Sequence, residues 1–229
     1  MDYSYEVKIN GESIPRQVIL EEELKRSRTA LKVLKEALGV EGMRKLLEKT
    51  GDSQIDYVLE HIFFEAKEGE KCEKAMVELE VEGISAEQFL GWWFQTAKTD
   101  PDGLNSAHPE HYLGCPLSDG TGQDVLEVNG DLDVPVHFQV HFHPTPEGAP
   151  EVPEYPVAAY STATTPDGRK LGEGVMHQFV TTETGFKSKC CNYYAPGVSD
   201  EVIRRQQMHL AIEWSNWVEM ALMAIGKQK

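Results

Sequence analysis

Cysteine is scarce in this chain of 229 residues. Cys72, Cys115, Cys190 and Cys191 are too few for a disulfide framework, and the adjacent pair Cys190 and Cys191 is poorly placed to bridge to itself. Reduced thiols are the expectation. Basic residues are also in deficit, with 22 Lys and Arg against 38 Asp and Glu. The resulting formal charge of −16 repels phosphate backbones and anionic lipid headgroups. Nucleic acid and membranes are therefore not expected partners. No stretch approaches the roughly 20 apolar residues that cross a bilayer, and the opening MDYSYEVKING lacks the basic-then-apolar order of a secretory signal, so a cytoplasmic protein is expected. Also missing are a Gly-rich nucleotide fingerprint, a P-loop, a Gly-x-Ser-x-Gly elbow and zinc-finger cysteine spacing. What is present is 40% hydrophobic content, enough for a core in one domain or two small ones.

From Val18 to about Lys67 the pattern is helical, with Leu20, Leu24, Leu31, Leu34 and Leu38 recurring at intervals of three, four and seven in a Lys/Glu background. Gly39, Gly42 and the Gly51-Asp52-Ser53 cluster divide it into two or three helices. Near Gly69 the texture changes: Cys72 to Ile84 alternates, with Ala75, Val77, Leu79 and Val81 on one face of a strand. The expected organisation is a helical region over 1–68 and a second domain over 69–229. Ser85-Ala86-Glu87-Gln88 has the form of a capping box and opens the apolar helix that holds Trp92-Trp93-Phe94. Strand-like runs follow at Asp124–Val128, Pro135–Phe142, Tyr155–Thr162, Gly174–Thr182 and Phe186–Tyr194, and together they predict a sequential antiparallel sheet. A long helix runs from Asp200 to Ile225, with Ser199 as N-cap. This order predicts an α+β fold in which a curved antiparallel sheet grips a C-terminal helix, with a cavity between them.

Several residues can carry chemistry. His209 and Glu213, at i and i+4, present an imidazole and a carboxylate side by side on one helix face, as two metal ligands or as a simple hydrogen-bonded pair. His108-Pro109-Glu110-His111 is a second ligand source whose proline stiffens the backbone. Glu127 is an acidic residue in an apolar strand, where an unpaired buried carboxylate is costly; it faces either a site or solvent. His177 stands in a strand as a proton donor or acceptor, or as a core histidine. A competing cluster is His137, His141 and His143, on one strand face by the period of two. His141-x-His143-x-x-x-Glu147 resembles half of a cupin metal motif, and a solvated strand face is the alternative. The Trp92-Trp93-Phe94 run reads as core, with one ring available to wall an aromatic pocket.

Taken in order, Ile84 to Phe94, His108-Pro109-Glu110-His111, Glu127, His177 and His209-x-x-x-Glu213 resemble the diacetylphloroglucinol hydrolase and phloretin hydrolase family, over roughly Cys72 to Ile225. The resemblance implies a helix-grip (Bet v 1-like, START-like) fold and hydrolysis of a carbon–carbon bond between an acyl group and a phenolic ring. It implies a Zn²⁺ cofactor held by His111, Glu127, His209 and Glu213, with His108 as the alternative to His111. His177 corresponds to the family's further active-site histidine, and Tyr193 or Tyr194 is expected to reach a substrate oxygen. Trp92 and Trp93 are expected to bind the substrate, a small aromatic or phenolic ketone, and a homodimer is admitted. The alternatives are a non-enzymatic carrier of an apolar molecule in the same cavity and a metal enzyme built on His137, His141 and His143.

Overall fold

The computed structural model describes residues 7–10, 12–129, 132–145 and 152–226. The chain divides into two compact units, Met1–Gly39 and Val40–Lys229. The first holds a small antiparallel hairpin, β1 (Val7–Ile9) and β2 (Glu12–Ile14), and the start of α1 (Arg16–Ser53). Helix α1 is interrupted at Gly39, whose φ of 63° lies in the left-handed region that glycine tolerates. Gly42 and Gly51, also read as breaks, stay helical. The boundary expected near Gly69 thus falls at Gly39. Residues beyond it belong to the larger unit because α2 (Ile55–His61) and its exit bury Val58 and Ile62 in the core, with Ala75, Val136 and Tyr194.

The larger unit is a seven-stranded antiparallel sheet. It comprises β3 (Glu73–Glu82), β4 (His111–Pro116), β5 (Gly122–Glu127), β6 (Val136–His143), β7 (Val157–Thr164), β8 (Lys170–Thr181) and β9 (Gly185–Tyr194), in the order β3-β9-β8-β7-β6-β5-β4. The last six form a meander, of which the sequence predicts β5 to β9, and β3 closes the far edge against β9. Strand β4 was not expected, and the short helix α4 (Pro101–Asn105) was not either.

Helix α3 (Ala86–Thr99) begins at the expected capping box: Gln88 N–H donates to Ser85 Oγ at 3.2 Å and Ser85 N–H donates to Gln88 Oε1 at 2.9 Å. Helix α5 (Asp200–Gly226) starts where Val202 N–H donates to Ser199 Oγ. Leu210, Trp214, Trp217 and Ala221 of α5 pack with Phe89 of α3 and with Phe179 and Phe186 of the sheet, burying one continuous apolar core. Phe89 is fully buried, its ring 5.3–6.2 Å from those of Trp92, Phe179, Phe186 and Trp214. Two bonds from α5 pin the turn ahead of β4: Trp217 Nε1 donates to Leu104 O at 3.0 Å and Asn216 Nδ2 donates to Ala107 O at 2.6 Å. These bonds hold the His108-to-His111 segment beside α5. Among the described residues, no helix is long and apolar enough to cross a membrane, and all four cysteines are free thiols.

Candidate metal centre

Register builds half of the site. His111 opens β4, Glu127 closes β5, and the two face each other as a cross-strand pair beside a bulge that separates His111 from Leu113. The other half comes from α5, where His209 and Glu213 stand one turn apart on the face turned to the sheet. The four side chains meet around His111 Nε2. It lies 3.1 Å from His209 Nε2, 3.4 Å from Glu127 Oε2 and 3.6 Å from Glu213 Oε1.

The three separations from His111 Nε2 are of the size found between neighbouring ligands of one cation. With ligand bonds of about 2.0–2.1 Å, the edges of a tetrahedron around zinc measure about 3.3–3.4 Å. The donor set, two imidazoles and two carboxylates, is also one that a divalent metal takes. Burial raises the pKa of Glu127, and it pushes that of Glu213 up to about 8, with Glu127 adding repulsion and His209 relieving part of it. His209 is pulled down by burial, but Glu110, Glu127 and Glu213 outweigh this and hold its pKa above the ordinary value. Two buried carboxylates that resist ionisation are what a bound cation would relieve. Asn129 Nδ2 donates to Glu127 Oε1 at 3.1 Å and fixes that carboxylate.

His108 lies in the same cluster. Its ring stacks on that of His209 at 4.1 Å between centroids, and one nitrogen from each of His108, His111 and His209 lies within 4.8 Å of the others. This buried trio of histidines can hold a metal ion. Nδ1 of His108 already accepts the Glu110 backbone N–H at 3.1 Å, so only its Nε2 faces ligand duty. In this trio all three ligand nitrogens lie close to one another, whereas Glu127 and Glu213 make their short approaches to His111. Glu110 stands behind His209, its Oε2 3.7 Å from Nδ1, in the position of a carboxylate that orients a ligating imidazole.

The histidine and carboxylate cluster borders a cavity of about 1220 Å³, counting its open mouth, into which Glu127, His209 and Glu213 face. Trp93, Phe94, Phe138 and Phe142 make much of its wall apolar and aromatic. His177 lines it too, half-buried and edge-on against Trp214 at 4.7 Å, with Nδ1 shielded from solvent and meeting no hydrogen-bond partner among the described residues. Burial drives its pKa down to about 3. Of the two tryptophans, Trp93 reaches the cavity, whereas Trp92 packs in the core beside Phe89.

The two tyrosines are placed differently. Tyr193 borders the cavity, but its ring packs with Met176 and Cys191 in a separate cluster, with Lys74 Nζ over it at 5.5 Å. Tyr194 faces inward yet stacks on Phe63 within the core, 5.6 Å between centroids. Asn192, between them, is the β9 side chain that lines the cavity next to Val175 and His177. Its Oδ1, like Oε1 of Gln206 from α5, is buried with no hydrogen-bond partner among the described residues. Both were missed; the period of two running on from Cys190, cross-strand partner of His177, points to Asn192.

The rival cluster does not assemble. His137 bridges two carboxylates, with Nδ1 2.9 Å from Asp52 and Nε2 3.0 Å from Asp124, and Arg44 Nη1 reaches Asp124 at 2.5 Å. His141 and His143 instead bond across the strand to Thr164 and Thr162. Glu147 lies outside the described residues.

No protein-family model matches this chain, and no curated protein does. Among solved structures, an uncharacterized protein from Rhizobium leguminosarum aligns at 16% identity with a TM-score of 0.37, over 67% of this chain and 97% of that one. That is too distant to assign a family.

Proposed function

We propose that this protein is a zinc-dependent hydrolase of helix-grip architecture that splits the bond between an acyl group and a phenolic ring, giving the free arene and a carboxylic acid. The convergence of Glu127, His209 and Glu213 on His111 Nε2, beside a cavity of aromatic character, carries this reading. The resemblance of the sequence to the acylphloroglucinol hydrolases supplies the reaction class.

His111, Glu127, His209 and Glu213 would hold the zinc, with His108 the alternative to His111. Zinc bound there supplies Lewis acidity toward a carbonyl and lowers the pKa of a coordinated water. The chain's own residues do the rest. His177, kept neutral by burial, offers the substrate one N–H and one lone pair, and Trp214 fixes its ring. From that position it accepts the phenol proton or returns one to the ring carbon that loses the acyl group. Asn192 and Gln206 present amide groups to ring hydroxyls, while Trp93 and Phe142 exclude water from the arene.

Elemental analysis of the purified protein is the direct test. One zinc per chain, lost in both His209→Ala and Glu213→Ala, followed by turnover of acylated phenols, is the expected result. A wild type that takes up no metal after zinc resupply overturns the proposal and leaves the cavity to a ligand carrier.

A further inference from the structure

The leucines of the first half of α1 are unusually exposed for a helix of this composition: Leu20 is 42% accessible, Leu24 56%, Leu34 59% and Leu38 41%. With Ser27 and the half-buried Leu31 they recur at alternating steps of four and three residues, which is the heptad spacing of a coiled-coil seam. In that frame Leu24, Leu31 and Leu38 take the a positions, and Leu20, Ser27 and Leu34 the d positions. The ion pairs within the helix, Arg26 with Glu22 and Lys32 with Glu36, lie on the opposite face at b, c and f. The charges that flank the seam are arranged differently. Arg16 and Glu23 occupy g, Glu21, Arg28 and Lys35 occupy e, and among the described residues Arg16, Glu21, Glu23 and Arg28 have no ion-pair partner.

We infer that this helix pairs with the same helix of a second copy, in parallel and in register. Parallel pairing brings each g residue to the e position five residues later on the partner helix. Arg16 then meets Glu21 of the partner subunit, Glu23 meets Arg28 of the partner subunit, and two-fold symmetry repeats both contacts. Every charged g–e contact is thus attractive. An antiparallel pairing centred on the same leucines brings Glu21 to Lys35 of the partner subunit, but it sets Arg28 against its own copy and leaves Glu23 opposite alanine. Only the parallel seam has no like-charge contact between g and e, and this self-complementarity selects a second copy over an unrelated helix.

Light scattering on the full chain tests this. The wild type should have about twice the 25.7 kDa chain mass, and Leu24→Glu with Leu34→Glu should give monomers that keep the sheet's circular dichroism. Glu23→Arg alone turns two attractive contacts repulsive and should raise the dimer dissociation constant about tenfold. Adding Arg28→Glu to it restores opposite charges and should recover the wild-type value. A monomeric wild type, or a dimer indifferent to the exchange of these charges, overturns the inference.

Discussion

Glu213→Gln should stabilise the metal-free protein at high pH and reduce the stabilisation that zinc adds. In metal-free protein the buried Glu213 carboxyl keeps its proton up to about pH 8, whereas in the unfolded chain it ionises near the ordinary 4.5. The native state therefore binds the extra proton across this window, and its stability falls as pH rises through it. Each pH unit takes at most about 1.4 kcal/mol, and with solvent entering through the cavity mouth to relieve part of the penalty the total is about 2–4 kcal/mol. Glutamine keeps the shape and never ionises. With a chelator present, the variant should match the wild type near pH 5 and exceed it by about 2–4 kcal/mol near pH 9. Zinc at a hundredfold excess over its dissociation constant adds about 2.7 kcal/mol to the wild type, and less to a variant that has lost a carboxylate ligand. Urea denaturation at both pH values, and with zinc near neutral pH, reads all of this. Metal-free wild type and variant with parallel pH curves would refute the burial of Glu213, and equal zinc stabilisation would refute its role as a ligand.

His177→Ala should leave bound zinc unchanged and lower kcat by about 10²–10⁴, the range of a lost acid–base group; zinc loss on elemental analysis would move His177 into the ligand set. His137→Ala removes the clamp between Asp52 and Asp124. Hydrogen bonding to Asp124 is the largest of the effects that raise the His137 pKa, so its contribution is complete below the ordinary 6.5 and fades as pH rises through the folded value. The variant should lose about 1–3 kcal/mol near pH 6 and less near pH 9 in urea melts. Phe89→Ala empties the centre of the core and should lose about 3–5 kcal/mol at all pH values.

The strands from β5 to β9 were legible because period-two alternation bounded by Gly, Pro and Asn survives in the sequence. Strand β4 was not. His111-Tyr112-Leu113-Gly114-Cys115-Pro116 ends in proline and carries a bulge, so its buried residues do not alternate. Nor was the division at Gly39, since the helical stretches on its two sides share one composition and differ only in what they pack against. The spacing of His209 and Glu213 showed in the sequence, and the resemblance added His111 and Glu127. Their cross-strand pairing depends on a register that no local pattern records. Asn192 was hidden on the same ground: only the pairing of β8 with β9 says which parity along β9 faces His177.

The His111 and His209 side chains meet across 98 residues of chain, joining the outermost strand of the sheet to the last helix. Strand β4 pairs with β5 on one side only. A cation at this point would act as a reversible staple, closing a long loop in the unfolded ensemble and tethering the exposed edge of the sheet to α5. Amide protons of β4 should then exchange together with those of α5 around His209 in the loaded protein. They should exchange ahead of the central strands once the metal is stripped, so that the edge hairpin becomes the first part of the sheet to open.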